Sequence, residues 1–438
     1  MHTYRRISIV AGAALTAALA ATAPHASAVG ATPAPKPTQR VEYFTEPGGH
    51  PHHRTVPASP APRRSLAPAA PAVKGDGAVT SVVNNGPIGS KLDVVFIGDG
   101  YTASQQDAFH AAVRAKWAKM TAVEPYASYR NLFNVWAVDA VSRDSGVSGD
   151  PAQGVKRDTA LGSGFFCDGV ERLLCVDTGK VESYAAKAPA ADLVVVLANS
   201  TKYGGAGYND VVSKVGYDGI ATASSDNDRS DQIAVHETGH SLGKLADEYQ
   251  YDEYGTYTGA EPRDVNISTL DAGRMAAQRT KWYRWLGQSS PDGGTVGSFE
   301  GGGYYPKGLF RPTENSIMRS LGREFNLPGR EAMIAGFYRH ASVLTAADGT
   351  AAAGSSVGRG TRVGVRLPAA TSTVHWYVDG HEAAWFRGKT TVVPAAVGVP
   401  RDGRAHTLTA RAVDRTDAVR DPELAKRLRG ELSWKVAG

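Results

Sequence analysis

Cysteine is almost absent from this chain: Cys167 and Cys175 are the only two in 438 residues. Two thiols with no histidine beside them make a poor metal site. An even, close pair in an exported chain is instead expected to form one disulfide, closing a short loop at a gain of ~2–3 kcal/mol. Charge of one sign is also scarce, with a formal net charge of only +5. No arginine-rich stripe and no interleaved basic and aromatic patch occurs, which argues against nucleic-acid binding. Long apolar runs are missing after the first residues, so no later stretch could span a bilayer. No internal repeat is visible.

The one apolar run is N-terminal. Tyr4, Arg5 and Arg6 precede residues 7–23, and Ala26-Ser27-Ala28 follows as a small-x-small cleavage site. Residues 1–28 therefore read as a signal peptide, and the mature protein is expected to be secreted without stable membrane association. Residues 29–79 are Pro- and Ala-rich, as in "ATPAPKPT" and "APAAPAV". Such text cannot bury a core and is expected to be extended or disordered, a pro-segment or linker. An island at 41–46 is more structured in composition and could belong to a pro-segment covering an active site. His50, His52 and His53 follow it and read as solvated linker histidines.

From about residue 80 the pattern changes. "KLDVVFIGDG" at 91–100, "FNVWAVDAV" at 133–141 and "ADLVVVLANS" at 191–200 are continuous apolar runs, the signature of buried strands. Between them Phe109, Val113, Trp117 and Met120 recur at helical spacing behind a Thr102/Gln105 capping box. Further helices are expected near 181–187, 229–245 and 330–344, with irregular text from 250 to 329. Alternating strands and helices imply an α/β (α+β) domain over 80–345 with a mixed or parallel sheet. Residues 346–438 alternate with period two, as in "STVHWYVDG", and suggest a small β-sandwich.

The chemistry lies in "VHETGHSLGKLADEY". His236 and His240 are four apart, so on a helix both imidazoles leave one face and can hold one zinc ion. Glu237 stands beside the first ligand, placed as general base and acid for a zinc-activated water. Gly243 is expected to stop the helix with a positive φ. His381 and Glu382 start a decoy of the same motif, but Trp385 replaces its second histidine. In metzincins a third ligand stands ten residues after the first, a position held here by Ala246. Asp247 and Glu248 follow at once, and a short carboxylate at 247 can still reach across the glycine turn. Both remain candidates on spacing. Met318, after the turn-like "TENS", is the candidate for an apolar floor beneath the metal. Gly204 and Gly205 in "YGGAG" permit close approach of a substrate backbone. Tyr304 and Tyr305 are candidate hydrogen-bond donors to a developing oxyanion.

Taken together, "HETGHSLGKLADEY", "YGGAG", "GGGYYPKGLFRPTENSIMRS" and "DVVFIGDGYT" resemble the bacterial IgA-peptidase family of zinc metallopeptidases. The resemblance covers about residues 80–345. It implies a metzincin-like zincin fold, His236 and His240 as ligands, Glu237 as catalytic acid/base, Asp247 as third ligand, and an immunoglobulin-like C-terminal module. Ser316 stands where some relatives carry a cysteine near the methionine turn, so a second disulfide is not implied.

The expected function is that of a secreted, monomeric endopeptidase with one catalytic zinc, acting on a protein or peptide. Two alternatives use the same residues: a secreted binding protein on an inactive zincin scaffold, and a zinc amidase acting on cell-wall peptides. Retention of Glu237 speaks against the first, because metal binding alone needs no general base.

Overall fold

The computed structural model describes residues 37–58, apart from 48 and 50, and residues 74–438. The expected signal peptide lies outside them. Among the described residues, no helix is long and apolar enough to cross a membrane.

The centre is an eight-stranded mixed sheet. Its strands are β1 (Thr38–Phe44), β2 (Pro51–Pro57), β3 (Val79–Val83), β4 (Leu92–Asp99), β5 (Phe133–Val138), β6 (Leu193–Ala198), β7 (Gly205–Tyr208) and β8 (Ile220–Ser224), in the order β2-β1-β7-β8-β6-β4-β5-β3. The three long apolar runs became β4, β5 and β6. β4 lies between β5 and β6 and pairs in parallel with both, and β6 pairs in parallel with β8. Parallel strands are covered on both faces, which is why these sequences are continuously apolar rather than alternating. Val94 and Phe96 face one layer, which includes Phe109, Val113, Ala234 and Met333 from three helices. Val95 and Ile97 face the other, with Val181 and Leu173.

The helices lie close to their expected positions, at Gln106–Met120, Thr178–Ala185, Asp231–Ser241 and Leu327–His340. The first is preceded by the Thr102 turn, whose backbone N–H donates to Gln105 Oε1 at 3.0 Å. β4 ends at Asp99, a buried carboxylate that accepts from Ser142, Thr159, Leu161 and Ser163 and so anchors the long loop beyond β5. Cys167 and Cys175 form the expected disulfide in that loop. Residues 250–326 are mostly turns, with a short helix Ala272–Gln278 and a hairpin of β9 (Phe299–Gly302) and β10 (Tyr305–Arg311).

Residues 345–438 form two sheets. One has five strands, in the order 356–358, 429–437, 405–414, 372–378 and 381–382, and the other has three. Trp376 and Trp434 are fully buried between them, and the same core continues to Leu344 and Tyr338. Asp414 accepts hydrogen bonds from Tyr129 and Tyr338, both at 2.9 Å, tying this segment to the rest.

Two expectations fail here. The Pro- and Ala-rich segment is not unstructured throughout, because residues 38–57 form the β1–β2 hairpin at the sheet edge, antiparallel to β7. Val41 and Tyr43, in the island at 41–46 whose composition already stood apart, bury with Val56 against Ala206 and Tyr208. His52 and His53 are accordingly strand residues packed on tyrosines rather than solvated in a linker. The helix after β8 also ends differently. It stops at Ser241, and the left-handed residue is Lys244 (φ 50), not Gly243. Gly243 is required instead by close packing: a Cβ there would stand 2.7 Å from the Gly239 carbonyl and 3.0 Å from Met333 Sδ.

Candidate metal centre

The Asp231–Ser241 helix is buried on most of its circumference, and residues 233–239 are all inaccessible. Its start is fixed by a buried ion pair between Asp231 and Lys116, whose ammonium also donates to the Ser224 carbonyl at 3.0 Å. An acidic residue in a first turn also suits the helix dipole.

His236 and His240 project from one face, as their spacing requires, with Nε2 atoms 3.1 Å apart. His236 Nδ1 lies 2.8 Å from the Ile317 carbonyl and His240 Nδ1 lies 2.7 Å from the Leu245 carbonyl. A carbonyl only accepts, so each Nδ1 carries the proton and each Nε2 is turned to the same point. Such backbone contacts orient metal-ligating histidines.

Asp247 and Glu248 part company. Residues 247–249 are extended: the Asp247 carbonyl accepts from Gly303 N–H and Glu248 N–H donates to the Met318 carbonyl, both at 2.8 Å. Successive side chains of an extended chain leave opposite sides. Asp247 Oδ1 is therefore 3.4 Å from His236 Nε2 and 3.3 Å from His240 Nε2. Glu248 turns away into a cage where Asn266, Asn326 and Ser316 donate to it at 3.0, 3.0 and 2.7 Å. Burial raises the Glu248 carboxyl, against those three donors. Ser316 thus serves this cage.

A fourth donor comes from outside the expected site. Glu42, on β1, places Oε1 3.3 Å from His236 Nε2 and Oε2 3.1 Å from His240 Nε2. Glu42, His236, His240 and Asp247 offer one ligand atom each within 4.8 Å of one another, and among the described residues this is the group able to hold a metal ion. A tetrahedral site with ~2.0–2.2 Å bonds has ligand–ligand edges of ~3.3–3.6 Å, and the three separations among His236 Nε2, His240 Nε2 and Asp247 Oδ1 are 3.1, 3.4 and 3.3 Å. Asp247 Oδ1 is buried with no hydrogen-bond donor. Two imidazoles among four donors around one point suit a first-row transition-metal ion better than calcium or magnesium, which take oxygen ligands.

The electrostatics agree. Burial lowers His236, but Glu42 first and then Asp247 overcome it and raise the imidazole to about 10. His240 is raised well above its usual range against burial by Asp247 and Glu42. Glu42 is held well below the carboxylate range, despite burial, by the two histidines. The protons on the imidazoles balance the carboxylates, and a divalent cation at the same point supplies that balance without them.

Glu237 lies beside the group without belonging to it. Burial, then the charge of Glu42, pushes its carboxyl up to about 8. Asn209 Nδ2 donates to Oε2 at 2.8 Å, whereas Oε1 is buried with no partner. Gly207 on β7 makes room: a Cβ there would run into the Glu237 carboxylate. Met318 is buried with Sδ against Gly239, in the helix turn between the two histidines. Tyr304 (φ 76) donates to Asp247 Oδ2 at 2.6 Å. Tyr305 does not join the group and packs edge-on against Tyr254 and Tyr257. Gly204 and Gly205 do not line the cleft: a Cβ on either would meet protein backbone, the Arg172 carbonyl at 2.6 Å and the Thr222 carbonyl respectively. His381 and Glu382 sit on an exposed strand, where the Glu382 carboxylate pairs with His375 and Arg387.

The group opens on a cleft of ~440 Å³ bordered by Arg40, Asn209, Asp210, Lys244, Tyr257 and Tyr304. Sequence reasoning missed Glu42 and Asn209, and it read Gly207, the last residue of "YGGAG", only as part of a loop beside the cleft. Only Glu42 left a signal, the alternation of "RVEYF" inside Pro-rich text.

The model of the family described as IgA Peptidase M64 matches residues 80–292 and 288–337, more than half of the chain. No curated protein matches it.

Proposed function

Because the chain belongs to the IgA peptidase family of metallopeptidases and is therefore a peptide hydrolase, we propose that it is a secreted zinc endopeptidase working from His236, His240, Asp247 and Glu237. The observation that carries this reading is the convergence of two carbonyl-oriented Nε2 atoms and the donorless Asp247 Oδ1 on one point. A zinc ion there would polarise a substrate carbonyl and bring the pKa of water to ~7. The protein's own part is positional. His236, His240 and Asp247 hold the ion. Glu237, pinned through Oε2 by Asn209, keeps Oε1 free to take a proton from water and return it to the leaving amine. Tyr304 Oη, whose one proton is donated to Asp247 Oδ2 in this state, would donate to a developing oxyanion by giving up that bond. Met318 serves as the apolar floor under the ligand helix.

In this reading residues 1–28 are a signal peptide, 80–345 the metzincin-like catalytic domain, and 346–438 an immunoglobulin-like module. The Cys167–Cys175 disulfide supports an extracellular site of action. The substrate is a protein or peptide, and the protein works as a monomer.

Purified chain is expected to carry close to one zinc ion, measured by elemental analysis after dialysis. No bound metal, together with no zinc uptake on titration, would overturn the reading. Gly207→Ala tests the positioning of Glu237. The added methyl group displaces the carboxylate from Asn209, and a displacement of ~1 Å costs on the order of 10²-fold in rate. In the form of the chain that hydrolyses peptide, the rate should fall by that amount while metal content stays unchanged.

A further inference from the structure

The β1–β2 hairpin lies outside the residues matched by the family, 80–337, yet it fills the centre of the site. β1 pairs antiparallel with β7, with Glu42 opposite Gly207, the glycine that makes room for Glu237. Without β1, the edge of β7 at Gly207, beyond the Leu173 bridge at Gly205, would face the cleft unpaired, the kind of edge to which extended peptides add. The side chains of β1 alternate accordingly. Val41 and Tyr43 pack on the sheet layer of Ala206 and Tyr208. Glu42 enters the metal group, and Phe44 fills a pocket of Tyr203, Ile233 and Leu321 with its ring 5.0 Å edge-on from His236. Arg40 covers the Tyr304 ring at 4.8 Å. The return strand locks this seat, with Tyr251 donating to the Pro51 carbonyl at 2.7 Å and His53 edge-on to Tyr304 at 5.0 Å.

We propose that this hairpin is an intramolecular inhibitor. β1 occupies the place of an extended peptide substrate beside β7, and the Glu42 carboxylate takes the metal position that catalysis leaves open to water. The proposal rests on the zinc-peptidase reading above and adds a latent state to it. A catalytic zinc site keeps three protein ligands and one exchangeable position, whereas four protein ligands close it. His236, His240 and Asp247 already make three, so Glu42 converts an open site into a closed one. Activation is then the departure of the hairpin, and the same strand edge receives the substrate.

The test uses the full chain loaded with cobalt(II) in place of zinc, as the unaltered protein, Glu42→Ala and the isosteric Glu42→Gln. Visible absorption reports the ligands, and azide is the probe for an exchangeable position. The unaltered protein should show a spectrum insensitive to azide. Both variants should bind cobalt, change spectrum with azide at concentrations at least tenfold lower than any that perturb the unaltered protein, and hydrolyse a mixed peptide pool at least tenfold faster in the zinc form. Equal azide response in all three proteins, or variants that bind cobalt but hydrolyse no faster, would overturn the inhibitor assignment while leaving the metal site intact. No cobalt binding by any of the three would overturn the metal-site reading itself. Glu42→Gln keeps the shape and hydrogen-bonding capacity of the buried side chain, so it remains decisive if Glu42→Ala does not fold.

Discussion

Glu237→Gln, made both in the unaltered chain and in the Glu42→Ala chain, is expected to lower peptide hydrolysis by ~10²–10⁴-fold while the protein still binds close to one zinc ion. The magnitude is that of a lost general acid–base. Metal retention follows from the geometry, since Glu237 contributes no atom to the group of Glu42, His236, His240 and Asp247. Its Oε2 is tied to Asn209, and the amide of glutamine can preserve that neighbourhood without accepting a proton at Oε1. Rate and metal content measured on the same preparation check the prediction. Undiminished hydrolysis would remove Glu237 from the chemistry. Metal loss would make it a ligand.

The second large effect separates two adjacent acids. Asp247→Ala should weaken zinc binding by ~10²–10³-fold, taking one ligand's share of a ~10–16 kcal/mol site as ~3–4 kcal/mol. Glu248→Gln should leave zinc affinity within a fewfold and lower folding stability instead. Its carboxylate is fully buried and accepts from Asn266, Asn326 and Ser316, and a carboxamide turns one acceptor into a donor facing donors. An unsatisfied buried donor costs ~1–3 kcal/mol. Competition with a zinc chelator and urea denaturation give the two readings. The reverse order of effects would exchange the roles of the two residues.

Much of the fold is legible in the order of the residues. The apolar runs at 91–100, 133–141 and 191–200 are too continuous to be anything but strands covered on both faces, and β4, β5 and β6 are those strands. The disulfide follows from two cysteines eight residues apart in a chain with no others. Gly243 illustrates a right residue with a wrong reason. Glycine is common where helices end, but here the left-handed turn falls on Lys244, and Gly243 is small because Gly239 and Met333 press on it. Gly204 and Gly205 repeat the lesson: close approach does require glycine there, but the approaching backbone is the protein's own.

The pattern His236, Glu237, His240 by itself determined one half of the site, because helical periodicity projects i and i+4 to one side wherever the helix lies. It equally determined that Glu237 stands next to the ligands without being one. The other half was decided only in three dimensions. Asp247 rather than Glu248 faces the histidines because the chain at 247–249 is pinned in an extended form between Gly303 and Met318, which sets the alternation of side chains. Glu42 reaches His236 across 194 residues through the pairing of β1 with β7. Strand pairing at that distance depends on register between segments that share no local pattern, and a shift by one residue would turn Glu42 to the opposite face. Local periodicity specified the metal-binding helix; long-range strand register decided what stands in front of it.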